Sequence, residues 1–201
     1  MKSLMLAAAA LFAVAAPALA LDADADAILT HFKPGKTVPI ADIATFMRGS
    51  AKWCYAEQDG TCGWTDVYLN VTDTSAQYEG GAAWDENTDI GMTHETELRD
   101  GRYICEIPET PASTTWAVSR ADGSVIQGRD LATLKQSIAD AYTGDTSYDC
   151  FDYAFLRVSP DRENIVVRQR QYIDGVTDKA NDVEVTIHYD PAVAKALKLR
   201  F

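Results

Sequence analysis

The chain of 201 residues has no long apolar run beyond its first twenty positions, no C-x-x-C pair, only three histidines and no basic excess. Each absence excludes something. Without a later stretch of about 20 apolar residues, no transmembrane helix is expected in the mature chain. Without C-x-x-C, neither a zinc ribbon nor a thioredoxin-type redox centre is expected. His31, His94 and His188 fall in three different predicted elements, so the sequence shows no histidine cluster. No G-x-S-x-G, H-E-x-x-H or S-x-x-K occurs, which removes the nucleophile elbow, the zincin helix and the serine–lysine site. The formal charge is −12, with 18 Lys+Arg against 30 Asp+Glu. A field of that sign repels phosphates, so no nucleic acid partner is expected. The imbalance is local: residues 21–150 hold 22 acids and 9 bases, whereas 151–201 hold 8 of each.

What is present begins with a targeting signal. Lys2, the apolar run from Leu4 to Val14 and the small residues of Pro17-Ala18-Leu19-Ala20 form the pattern of a secretory signal peptide cleaved after Ala20. The expected location is therefore the periplasm or the extracellular space. Residues 21–49 read as an N-terminal helical lead and 50–201 as a single disulfide-bonded, mainly-β domain, which suits a chain of this length.

Four cysteines, Cys54, Cys62, Cys105 and Cys150, are separated by 7, 42 and 44 residues. An even number in an exported chain implies two disulfides. Of three pairings, Cys54–Cys62 with Cys105–Cys150 is favoured. The first would pin a hairpin running from Lys52 to Val71 around Asp59-Gly60. A tight two-residue turn there sets Cys62 opposite Glu57, so the expected connection is a five-residue loop from Ala56 to Gly60 with Gly60 left-handed. That loop would put Trp64 on the face of the cysteines and Trp53 and Tyr55 on the other.

Helices are expected at Asp22–Phe32, at Ile40–Met47, where Ile40, Ile43, Ala44 and Met47 recur at helical spacing, and at 130–142, where Leu131, Leu134 and Ile138 share a face. Pro191 opens a terminal helix over Ala192–Leu199. Strands are expected at Gln77–Trp84, Asp89–Leu98, Tyr103–Ile107, Thr114–Ser119, Phe151–Val158, Asn164–Ile173 and Asp182–Tyr189, besides the hairpin. Val67, Leu69 and Val71 form the apolar face of its second arm. Turns such as Asp100-Gly101, Asp122-Gly123 and Asp174-Gly175 punctuate them. The fold class is α+β: an antiparallel meander of about eight or nine strands, curled as barrel or sandwich, with N-terminal helices and one packed amphipathic helix.

Aromatic residues carry the functional expectation. Trp53, Tyr55, Trp64, Tyr68, Tyr78, Trp84, Tyr103 and Trp116 concentrate in the first sheet region and are candidates to line a pocket. Arg168 and Arg170, alternating along one strand, are candidates to clamp an anionic ligand. Asp85, Asn87 and Asp89 have the 1, 3, 5 spacing of a calcium loop, but Ile90 stands where that loop needs Gly and Thr96 where it needs a bidentate acid. Calcium is the single cofactor that the pattern suggests, and it fails as an EF-hand. The expected function is a non-catalytic binding protein that holds a small apolar or amphipathic ligand, or a protein partner, through an aromatic-rich sheet face. The alternative is an envelope interaction, inhibitor or assembly protein that acts by surface contact. An outer-membrane barrel, suggested by the alternating terminus Leu197 to Phe201, and a carboxylate enzyme are further rivals.

Overall fold

Short alternating segments separated by Gly and Asp turns pair with one another almost in sequence order, and their curvature closes the sheet on itself. The computed structural model describes residues 21–107, 111–141 and 149–201. The strands are β1 (Lys52–Tyr55), β2 (Thr61–Cys62), β3 (Trp64–Val71), β4 (Ser75–Ala83), β5 (Thr88–Arg99), β6 (Tyr103–Glu106), β7 (Trp116–Ser119), β8 (Asp149–Val158), β9 (Asn164–Ile173), β10 (Val176–Thr177), β11 (Val183–His188) and β12 (Lys198–Leu199). Eight of them form a closed antiparallel barrel in the order β9-β11-β1-β3-β4-β5-β6-β8, with β8 returning to β9. Closure leaves no free sheet edge around the ring. The expected α+β class and curled meander are those observed.

Alternation places Trp53, Tyr55, Tyr153, Ile165, Val167, Val185 and Ile187 inside, all essentially fully buried. One end of the barrel is stoppered by the lead. Helix α1 (Ala23–Ile28) is capped by Asp22, whose carboxylate accepts from the Asp24 and Ala25 amides; a 3-10 turn at Leu29–His31 replaces the rest of the expected helix. Helix α2 (Ile40–Gly49) buries Ile40, Ile43, Ala44, Phe46 and Met47. These residues belong to the same apolar cluster as the barrel interior.

One seam of the barrel is narrow. Among the described residues β6 pairs with β8 through two residue pairs, Ile104 with Phe151 and Cys105 with Cys150, and the second pair is itself a disulfide. Beyond it the lead takes over the edge of β8. The amides of Gly35 and Val38 donate to the carbonyls of Phe155 and Tyr153, at 2.7 and 2.8 Å, and Phe155 donates to Lys36 at 2.9 Å. Under this patch lies Asp152, fully buried. It accepts from Arg102 Nε at 2.6 Å, Arg170 Nε at 2.5 Å and Tyr172 OH at 3.1 Å, while Arg170 also donates to Thr37 at 2.8 Å.

The hairpin holds a correction. Gln58 and Thr61 exchange backbone hydrogen bonds of 2.8 and 2.9 Å, with Asp59 at φ 49° and Gly60 at φ 72°. The tight turn therefore forms. The register is recovered instead by Ala56, which takes φ 49°, and by Gly63, whose amide donates to Tyr55 O at 2.8 Å. The bulge lets Cys54 join Cys62 as expected. It also pairs Tyr55 with Trp64, so Trp64 shares the face of Tyr55 and not that of the cysteines. Consequently the inner face of β3 is Trp64, Asp66 and Tyr68, and of the predicted apolar face Val67 and Leu69 are turned out, with Leu69 exposed, while a register shift at Leu69 returns Val71 to the core. Burying large rings outweighs exposing one Leu.

β7 pairs with the first half of β5 where β6 is absent. Helix α3 (Gly128–Ala141), expected at 130–142, packs Ile138, Leu131 and Leu134 against Ile90, Met92 and Ala117; position 142 lies outside the described residues. Ile90 and Met92 share the inward face of β5 with Thr96, so α3 stands at the rim of the barrel. Helix α4 (Pro191–Ala196) is capped by Asp190 and is shorter than expected. From Leu197 the chain extends, and Lys198–Leu199 pairs in parallel with Thr61–Cys62. No helix of the described residues is long and apolar enough to cross a membrane.

The two disulfides should differ in weight. By loop-closure entropy, Cys105→Ala with Cys150→Ala costs about 4 kcal/mol, against about 2.5 kcal/mol for Cys54→Ala with Cys62→Ala. Urea denaturation of the two double variants checks the order.

Candidate functional site

The barrel interior changes character along its axis. Near α2 the inward positions are Trp53, Leu98, Phe155, Ile165 and Ile187, all buried in one apolar cluster. Toward the other end the inward positions become Asp66, Thr96, Glu106, Asp149, Gln169 and Gln171, interleaved with Tyr55, Trp64, Tyr68, Tyr78, Phe151 and Tyr153. Polar chains cannot close over one another as aliphatic ones do, and a cavity of about 350 Å³ remains, open at the rim. We call it the cup.

At the cup wall stands Asp66, 7% exposed. Its Oδ2 accepts a 2.5 Å hydrogen bond from Tyr55 OH. No hydrogen bond from a described residue reaches Oδ1, which is left to the cup. Removal from water pushes this carboxyl up to about 7; the Tyr55 hydrogen bond opposes that rise and Glu106 adds to it. Burial likewise raises the Tyr55 and Tyr68 hydroxyls, with the Asp66 charge contributing to both. Tyr153 OH accepts from Gln169 Nε2 at 2.8 Å. At the rim, Gln171 Nε2 donates to Asp149 Oδ2 at 2.7 Å, while Asp149 Oδ1 is buried without a partner.

The rings are mutually braced. Tyr55 stacks on Trp64 at 4.8 Å. Trp53 stands edge-on to Tyr68 and Tyr153, at 5.2 and 5.5 Å, behind the wall. Tyr78 meets Tyr68 at 5.6 Å and stacks on His94 at 5.2 Å. Burial lowers the His94 pKa. No Lys, Arg or His lines the cup among the described residues.

The structure divides the sequence candidates. Tyr55, Trp64 and Tyr68 line the cup, and Trp53 supports it from the core. Trp84 packs in the second cluster beside α3. Tyr103 lies outside, under the Arg102 guanidinium and edge-on to Tyr172. Trp116 also lies outside, where it crosses Gly91 so closely that a Cβ there would fall 2.3 Å from its ring, and it donates to Glu79 at 2.8 Å. Arg170 is committed to Asp152, and Arg168 pairs with Glu184 at 3.4 Å. The Asp85 carboxylate caps its own turn by accepting from Asn87 N at 2.8 Å, and Asp89 pairs with Arg120 at 2.8 Å.

Sequence reasoning missed Asp66, Thr96, Glu106, Asp149, Gln169 and Gln171. Their signal was a polar residue at an inward position of an otherwise apolar alternation, which becomes visible only once the register is fixed. Among the described residues, the one trio of metal-type ligands with atoms within 4.8 Å is Cys54, Glu57 and His188. Its cysteine is in a disulfide, and Glu57 and His188 form a 3.0 Å pair of their own. Outside the barrel, a groove of about 740 Å³ runs between β3, β4 and the terminal segment, with Trp116 and Phe201 on its sides. No family model, curated protein or solved structure matches the chain.

Asp66 fixes a pH dependence of stability. Its carboxyl holds a proton up to about pH 7 in the folded chain, whereas the ordinary value is 3.8. Between those values the native state binds more protons than the unfolded one, so stability falls as pH rises. Asp66→Asn should melt higher than the parent above pH 7 and together with it near pH 4, as read by differential scanning calorimetry across that range.

Proposed function

We propose that this chain is an exported binding protein that holds a small amphipathic molecule in the cup and performs no chemistry on it. The observation that carries the reading is the change in the barrel interior from an apolar plug to a cavity with aromatic walls and a few polar groups. Its volume of about 350 Å³ falls at the lower end of the range for small-molecule sites. Rings give such a site apolar area at low cost in side-chain freedom, and the polar groups orient the guest. Export is supported by the signal pattern of residues 1–20 and by two disulfides, which suit an oxidising compartment.

The second reading, contact with a protein partner, is favoured by the outer groove, where Trp116 and Phe201 are 37% and 69% exposed. One variant separates the two. Val183 lines the cup and not the groove, so Val183→Trp fills the cup alone. Small amphipathic compounds should raise Tm by about 5–10 °C at a hundredfold excess over Kd. The shift should vanish in Val183→Trp and persist in Phe201→Ala. Thermal-shift and native mass spectrometry screens read both, and the opposite pattern would move the site to the groove.

A further inference from the structure

We infer that the guest of the cup is an organic cation, an amine or quaternary ammonium group carried on an apolar body. The inference rests on the cup being the binding site and adds the charge and chemical class of its occupant.

The wall offers acceptors. Tyr55 has spent its hydroxyl proton on Asp66, Gln169 donates to Tyr153, and Gln171 donates to Asp149. Of the lining oxygens, Oδ1 of Asp66 accepts no hydrogen bond from a described residue and is left for a guest, while Oδ1 of Asp149 is also without a partner but closed off from solvent. An unmet buried acceptor is costly, and a donor-bearing guest removes that cost. A guest with its own carboxylate or carbonyl oxygens would add to it.

Charge points the same way. Three carboxyl side chains, Asp66, Glu106 and Asp149, line a cavity into which no described Lys, Arg or His projects. The titratable groups facing Asp66 are Tyr55 from β1, Tyr68 from β3, Glu106 from β6 and Tyr153 from β8, all neutral or negative. A bound cation would hold Asp66 ionised at neutral pH. The tyrosine rings and Phe151 supply negative π faces against which an ammonium group is stabilised. The chain's net charge of −12 adds a long-range attraction for cations.

An inorganic ion fits the geometry poorly. A divalent metal needs several oxygens converging on one point, and the cup carboxyls do not form a trio within 4.8 Å. Acceptors set apart around an aromatic chamber suit a guest with a charged end and an apolar body.

Isothermal titration of the mature chain at pH 7.5 with phenethylamine, its neutral N-acetyl derivative and 3-phenylpropionate tests this. The amine should bind about tenfold or more tighter than the neutral and anionic probes. Asp66→Asn should weaken the amine by about tenfold and leave the neutral probe nearly unchanged. If amine and neutral probe bind equally, and both are lost in Val183→Trp, the cup stands as the site and the cation is overturned. Amine binding that survives Val183→Trp, or no binding of any of the three, overturns this inference and the reading of the cup together.

Discussion

Barrel closure depends on how β6 meets β8. Among the described residues two residue pairs join them, a narrow contact for a ring of strands that must hold against its own twist. Three other devices make up the shortfall: the Cys105–Cys150 disulfide, the stretch Gly35 to Val38 hydrogen-bonded along β8, and the buried Asp152 carboxylate shared by Arg102 and Arg170. The last is a charge removed from water, tolerable because four donors surround it. It joins the turn before β6 to β8 and β9, and through Arg170 to Thr37 of the lead. The lead is thus part of the barrel wall as well as its stopper.

Inside the ring the same chemistry is used in the opposite sense. Asp152, outside, has more donors than it needs; Asp66, inside, has one. The first stabilises the fold and the second taxes it, since a carboxyl that resists ionisation lowers stability as pH rises. A chain free of other demands would place an apolar residue there. Sites that bind or react are where such local costs accumulate, and Asp66 shares its cavity with the orphaned oxygen of Asp149.

Much of the fold was legible because its signals are local. Turns at Asp-Gly, the helical spacing of Ile40, Ile43 and Met47, and the alternation of Val183, Val185 and Ile187 each announce an element without reference to the rest of the chain. Two disulfides followed from the even cysteine count and the expected compartment, and the pairing observed is the one favoured among three. The face of β3 did not. Val67, Leu69 and Val71 read as the core face by hydropathy, yet the bulge at Ala56 pairs Tyr55 with Trp64 and turns Asp66 and Tyr68 inward. A single left-handed residue thereby decides which side chains line the cavity, and no pattern of types encodes it. The cup was half legible for the same reason: the rings of Tyr55, Trp64 and Tyr68 stand out in sequence, whereas Gln169, Gln171 and Asp149 look like ordinary surface positions until the barrel closes around them.

The carboxyl of Asp66 is the most direct reporter of this account, because burial, the single hydrogen bond and the guest's charge all act on it. Its side-chain carbon can be followed by NMR through a pH titration, with and without phenethylamine. The account predicts a midpoint near 7 in the free protein, displaced downward when the amine is bound. A midpoint in the usual carboxylate range that the amine leaves unmoved would contradict it.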